Sequence, residues 1–285
     1  MARPNNSTTR LGDVPVHYAR YADQRYSYGT RGKPYTFYCL SEFETKLDNC
    51  FKEIWQVCPL GPAEVITSAG AYVNKSGAHG LGRGFDLDAL FWADHTLVTL
   101  HYPQNRSFYL GVEAVLRKHF GTVLNYEYNS AHRDHFHIDD LSEVRFSVGS
   151  KSRVLFLQMV ISHVFGNPIG IDGQFGQETG DAARDLLMSL GLGTASKLGT
   201  TKEIERCLNR NWITFLDTAA ESAFQFLKGQ RAEVPSPAEL LHDVYKTIQA
   251  ELGQSQGRKT IETTLTAFAE HPETVAWLAQ WDQTD

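Results

Sequence analysis

The 285-residue chain has no apolar run approaching the roughly 18 residues that a helix needs to cross a bilayer, so no membrane span is expected. Basic charge is not in excess: 27 Lys and Arg stand against 33 Asp and Glu, a net charge of −6. That removes the electrostatic case for a nucleic-acid or anionic-membrane partner. Cysteine is scarce, and the four present, Cys39, Cys50, Cys58 and Cys207, show no metal-binding spacing. Either one disulfide forms among the first three, or these are buried thiols. The opening thirty residues are polar, with scattered arginines and tyrosines, and do not read as a signal peptide. What is present suits packed cores: 42% of residues are hydrophobic, in a chain longer than one usual domain.

Two histidine segments about fifty residues apart carry the chemistry: His79-Gly80-Leu81-Gly82-Arg83-Gly84-Phe85-Asp86 and His132-Arg133-Asp134-His135-Phe136-His137. Catalytic zinc usually takes three protein ligands and keeps a position open. His79, Asp86 and His137 satisfy that count. Two neutral imidazoles and one carboxylate leave Zn2+ with residual positive charge, which lowers the pKa of bound water and polarises a carbonyl. Amide hydrolysis needs both effects.

The glycine alternation after His79 disfavours a helix, each interior glycine costing about 1 kcal/mol relative to alanine. A loop is expected from His79 to Gly84, leading into a short strand around Phe85 to Asp88. The alternation from His135 to Asp139 predicts a strand, with His135 and His137 on one face. Upstream, Ser41 is expected to cap a helix whose Phe43, Leu47, Phe51, Ile54, Trp55 and Cys58 recur at helical spacing, ended by Pro59 and Pro62. Val65 to Ser68 begins a strand, and residues 108 to 119 form a second helix that Gly121 stops. The expected fold is α+β: a small antiparallel sheet with helices carrying the zinc site, followed by an all-α carboxy-terminal domain. Its boundaries are an arm over 1–37, the zinc domain over 38–148 and the helical domain over 149–285.

Ser76-Gly77-Ala78-His79 through Asp86, followed by His135-x-His137, resembles zinc peptidases of the D-alanyl-D-alanine carboxypeptidase and murein endopeptidase superfamily. Within it, Ser68-Ala69-Gly70-Ala71-Tyr72, Phe120 to Leu124 and Tyr128 to His137 are similar to the bacterial extensin-like carboxy-terminal domain family. The resemblance covers roughly residues 38 to 140. It implies zinc on His79, Asp86 and His137 and cleavage of amide bonds in peptidoglycan stems or crosslinks. Relatives use either a glutamate three residues before the last ligand or the first histidine of His-x-His as base. Here those positions hold Asp134 and His135. His135 shares the face of His137, and an ordinary histidine, at about 6.5, is better matched to proton transfer at neutral pH than an ordinary aspartate, at about 3.9, so His135 ranks ahead. His132 is expected to orient the leaving group or stabilise the tetrahedral intermediate. Asp88 and Asp139 either hydrogen-bond a ligating imidazole or are solvated strand-end carboxylates. Carboxypeptidase relatives carry an arginine shortly after the Ser-x-x-x-Tyr segment; here Tyr72-Val73-Asn74-Lys75 has none, which favours an endopeptidase.

Beyond Asp140, Val154 to Gln158, Ile171-Asp172-Gly173-Gln174-Phe175 through Thr179, and Ala182 to Leu187 resemble the three-helix peptidoglycan-binding domain of wall hydrolases. A tight Asp-Gly turn, Phe175 anchoring the loop and Thr179 near the next helix start are expected. Helical patterns follow at Ile204 to Leu216, at Phe224 to Leu227 and, past Pro235 and Pro237, at Leu240 to Ile248. The rival function is a non-catalytic, zinc-stabilised wall-binding protein. Without a leader, the chain is expected to reach the periplasm or wall as a phage lysin or an injected antibacterial effector. Those routes imply a phage or secretion partner, or an immunity protein.

Overall fold

The computed structural model describes residues 3–20 and 29–229. The expected helix over Leu240 to Ile248, the breaks at Pro235 and Pro237, and the side chain of Phe226 lie outside the described residues. Among these residues are strands β1 (Ser7–Thr8), β2 (Arg10–Leu11), β3 (Val14–Tyr18), β4 (Lys33–Pro34), β5 (Phe37–Tyr38), β6 (Val65–Gly70), β7 (Gly84–Phe91), β8 (Thr96–Val98), β9 (Thr122–Leu124) and β10 (Phe136–Asp139). The helices are α1 (Ser41–Val57), α2 (Arg106–His119), α3 (Lys151–His163), α4 (Gln177–Ser189), α5 (Thr201–Arg210) and α6 (Trp212–Gly229).

The larger sheet runs β2-β3-β6-β7-β10-β9, with β4 against β3 and β8 against β7; β1 and β5 form a separate antiparallel pair. It is not purely antiparallel, because β3 lies parallel to β6. A parallel pair needs a long crossover, and α1 lies within it. The segment expected as an arm therefore supplies strands. Leu11, Val14 and Val16 alternate into the core, and the Trp55 indole N–H donates to the Gly12 carbonyl at 3.0 Å.

Phe43, Leu47, Phe51, Ile54 and Trp55 form the buried stripe of α1. Leu40 rather than Ser41 takes the cap position, with no side-chain cap; Glu42 and Glu44 in the first turn favour the positive end of the helix. The helix stops where the Pro59 ring disfavours helical backbone at the residue before it, and Cys58 is extended (φ −73°, ψ 124°). Gly121 does not end α2 by a left-handed turn: Phe120 is already extended there. Gly121 instead lies where a Cβ would come 2.0 Å from the Ser142 carbonyl oxygen. All four cysteines are free thiols, three of them buried. Burial raises the thiol pKa of Cys39 to about 12 and of Cys58 to about 11.

Every residue of α2 from Arg106 to Arg117 is buried, so the helix must be covered on all sides. α1, α3 and α6 each pack against it. A Cβ at Gly111 would stand 2.6 Å from the Phe224 ring, so this glycine sets the close approach of α6. Tyr109, Val115 and Phe136 share one apolar cluster with Val154, Leu157, Trp212 and Phe224. The two sides of the expected 148/149 boundary thus meet on one core. No helix among the described residues is long and apolar enough to cross a membrane.

The Asp-Gly turn forms after α3, with Gly173 at φ +74°. Buried Gln158 clamps it: its Oε1 accepts from the Asp172 and Gly173 N–H groups at 3.1 and 2.8 Å. Its Nε2 donates to Asp172 Oδ1, to the Gln174 carbonyl and to Thr179 Oγ1 at 2.9, 3.1 and 2.9 Å. Phe175 packs edge-on to Phe146 at 6.1 Å. Gln158→Leu removes all five contacts and is expected to cost about 1–3 kcal/mol, read as a lower urea midpoint with metal content unchanged.

Candidate metal centre

His79, Asp86 and His137 arrive from three elements. His79 opens a single 3-10 turn, His79–Leu81, rather than an open loop. The glycines make the turn tight: a Cβ at Gly80 would fall 1.6 Å from the Lys75 carbonyl oxygen, and Gly82 is left-handed at φ +69°. Asp86 lies on β7 and His137 on β10, and antiparallel pairing sets them directly opposite each other.

The three ligand atoms form a near-equilateral triangle. His79 Nε2 lies 3.1 Å from Asp86 Oδ1 and 3.1 Å from His137 Nδ1, and His137 Nδ1 lies 2.9 Å from Asp86 Oδ1. Ligand atoms about 2.05 Å from a tetrahedral ion stand about 3.3 Å apart, so the set fits one small cation. It is a group able to hold a metal ion. The remaining ring nitrogens are anchored: His79 Nδ1–H donates to the Ala71 carbonyl, and His137 Nε2–H donates to Asp139 Oδ2 at 3.3 Å. These bonds aim one nitrogen of each ring at the common point. Asp139 in turn accepts the Leu141 N–H at 3.0 Å.

Asp88 does not reach an imidazole. It is 2% exposed, and its Oδ2 has no hydrogen-bond partner among the described residues. Burial, then the charges of Asp86 and Asp134, push its carboxyl well above the ordinary range, which favours the neutral acid. The charge of Arg20, from the segment expected as an arm, bears on both Asp88 and Asp134. Nothing in local spacing connects position 20 with this site.

The sequence-predicted catalytic set falls beside the triangle. His135 Nε2 lies 3.7 Å from Asp86 Oδ1, while its Nδ1–H donates to Asp134 Oδ1 at 2.8 Å. Asp134 is thus joined to the far nitrogen of His135, and this hydrogen bond outweighs the opposing effect of burial and holds its carboxyl below the ordinary range. The His132 ring lies 5.3 Å from that of His135 and 6.1 Å from that of His137. Burial, and then the charges of His135 and His137, lower His132 to about 4. Its Nδ1–H donates to Asn129 Oδ1 at 2.7 Å, an oxygen that also accepts the Ala131 N–H at 3.0 Å. A neutral ring so held presents Nε2 as an acceptor, not as a donor to an oxyanion.

Metal-free, the triad is protonated at His137. Burial opposes the charged ring, but hydrogen bonds to Asp139 and Asp86 outweigh it and raise His137 to about 9. Burial also works against the Asp86 carboxylate, and bonds from His137 and His79 overcome it, holding this group well below the ordinary range. A ligand must release its proton to bind. Metal affinity is therefore expected to rise about tenfold per pH unit up to about pH 9 and then level, as competition titrations would show. The metal-free fold has the opposite dependence. A folded-state pKa above the ordinary His value contributes stability that is full below about pH 6.5 and lost as pH rises through about 9.

Residues 65–148 match the family described as extensin-like protein C-terminus. The stretch begins at β6, ends before α3, and contains the triad, His132, Asp134 and His135. No curated protein and no solved structure matches the chain.

Proposed function

We propose that this chain is a zinc-dependent peptidoglycan peptidase that cuts amide bonds within stem peptides or crosslinks. The observation carrying this reading is the three-atom triangle with an imidazole–carboxylate pair beside it, inside the stretch that matches the extensin-like family. Two imidazoles and a carboxylate are a donor set suited to zinc. Zinc, when bound, supplies a Lewis acid that polarises the scissile carbonyl and lowers the pKa of a water it holds.

His79, Asp86 and His137 hold the ion, with Ala71 and Asp139 setting the two rings. His135 Nε2 takes the proton of the attacking water, and Asp134 keeps the ring oriented and stabilises the imidazolium that results. His132, neutral and tied to Asn129, accepts a hydrogen bond from the substrate or passes on the proton. The segment Tyr72 to Lys75 offers no guanidinium fork for a terminal carboxylate, which supports cutting inside the polymer. The helices after Asp140, with their clamped Asp172 loop, suit a role in holding the wall polymer.

Mass spectrometry of purified sacculi after digestion tests the proposal. New amide-bond ends are expected with the metal-loaded protein and not in the presence of a chelator. Unchanged fragments at stoichiometric zinc would leave a wall-binding protein that keeps the metal for stability.

A further inference from the structure

One charged side chain outside the ligand set connects the segments that carry it. Arg83 lies between His79 and Asp86, immediately before β7. Its Nε donates to Asp140 Oδ1 at 2.8 Å and its Nη2 to Asp140 Oδ2 at 2.7 Å, a two-pronged bond, while Nη1 donates to Glu42 on α1. Asp140 follows Asp139, the residue that orients His137, and its side chain is only 3% exposed. Lys46 Nζ, also from α1, donates to Asp140 Oδ2 at 3.0 Å.

The position of this clamp in the sheet gives it leverage. The β7–β10 ladder pairs His137 with Asp86 and ends on Asp139 with Gly84. The next residues outward are Asp140 and Arg83, so the guanidinium closes this ladder three positions beyond the His137–Asp86 rung. Backbone bonds join this clamp to the turn that carries His79: Arg83 N–H donates to the Ala78 carbonyl at 2.9 Å, and beside it Leu40 N–H donates to the Gly82 carbonyl at 2.9 Å. A shift of this turn moves His79 on one side and Asp86 on the other.

We propose that Arg83, through Asp140, is a positioning residue that sets the spacing of His79 and Asp86 relative to His137. The inference rests on the reading of the triad as a metal centre. A planar guanidinium fork grips both oxygens of one carboxylate, whereas an ammonium is a point charge that grips one. Partners outside the ligand shell typically change metal affinity by about 10- to 100-fold.

The test titrates Co2+ into metal-free full-length protein and follows both affinity and visible absorption. Arg83→Met is expected to weaken Co2+ by about 10- to 100-fold and alter the absorption band; Arg83→Lys recovers only part. Arg83→Met combined with Asp140→Asn is expected to bind no more weakly than the worse single variant, because both break one contact. The band shape reports ligand geometry, which a general loss of stability does not change. Should Arg83→Met fail to fold, Asp140→Asn carries the same expectation at nearly constant shape. Unaltered affinity and absorption in Arg83→Met, or losses that simply add, overturn the proposal while the metal reading stands. No Co2+ uptake by the unaltered chain overturns both.

Discussion

Alanine at His79, Asp86 or His137 is expected to abolish metal binding and, with it, wall digestion. Each side chain contributes one vertex of a triangle whose edges are 2.9 to 3.1 Å, and no fourth His, Cys, Asp or Glu joins the group among the described residues. Loss of a partner outside the ligand shell already costs about 10- to 100-fold in affinity, so loss of a ligand lowers it by more than about 100-fold. Elemental analysis after dialysis should show about one metal ion per chain before substitution and none after it. His135→Ala separates binding from chemistry: metal is retained, and sacculus cleavage falls by about 10²- to 10⁴-fold. Wall digestion by any variant that holds no metal would end the proposed mechanism.

The largest stability effect is expected from Arg117→Met. Glu113 and Arg117, one turn apart on α2, are 0% and 2% exposed and paired at 2.7 Å. Arg117 Nη2 also donates to the Val123 and Ser152 carbonyls at 3.0 and 2.9 Å and to Ser152 Oγ at 2.9 Å, joining α2 to β9 and α3. Asn125 Nδ2 donates to both Glu113 oxygens at 2.9 and 3.1 Å. Removing the guanidinium leaves a buried carboxylate without its counter-charge, a loss of about 3–5 kcal/mol that urea denaturation would register. Glu113→Leu with Arg117→Met removes both charges, and a milder loss than in Arg117→Met alone is expected. Additive losses in the double variant would contradict this account.

The periodic parts of the chain were readable from sequence. The stripe from Phe43 to Trp55 specifies its own helix, because the residues three and four apart that must be buried are written in order. The Asp172-Gly173 turn is equally local. By contrast, Val14-Pro15-Val16 is only a short alternation, and its strand identity depends on partners some fifty residues on, at Ile66 to Ser68. Arg106, Glu113 and Arg117 look like the solvated face of a helix until α3 and α6 cover it.

For the candidate metal centre, His79, Asp86 and His137 were legible as residues that carry suitable donor atoms, through the three-ligand count and the family resemblance, and these are the three whose donor atoms meet in the structure. The tertiary structure decided that the ligand atoms stand about 3 Å apart, that His137 turns Nδ1 rather than Nε2 inward, and that Asp134 meets the far nitrogen of His135. It also paired Arg83 with Asp140, 57 residues away. The physical reason is that donor chemistry belongs to single side chains, whereas distance and ring orientation depend on strand register, the tight turn at Gly80, and hydrogen bonds from residues remote in the chain.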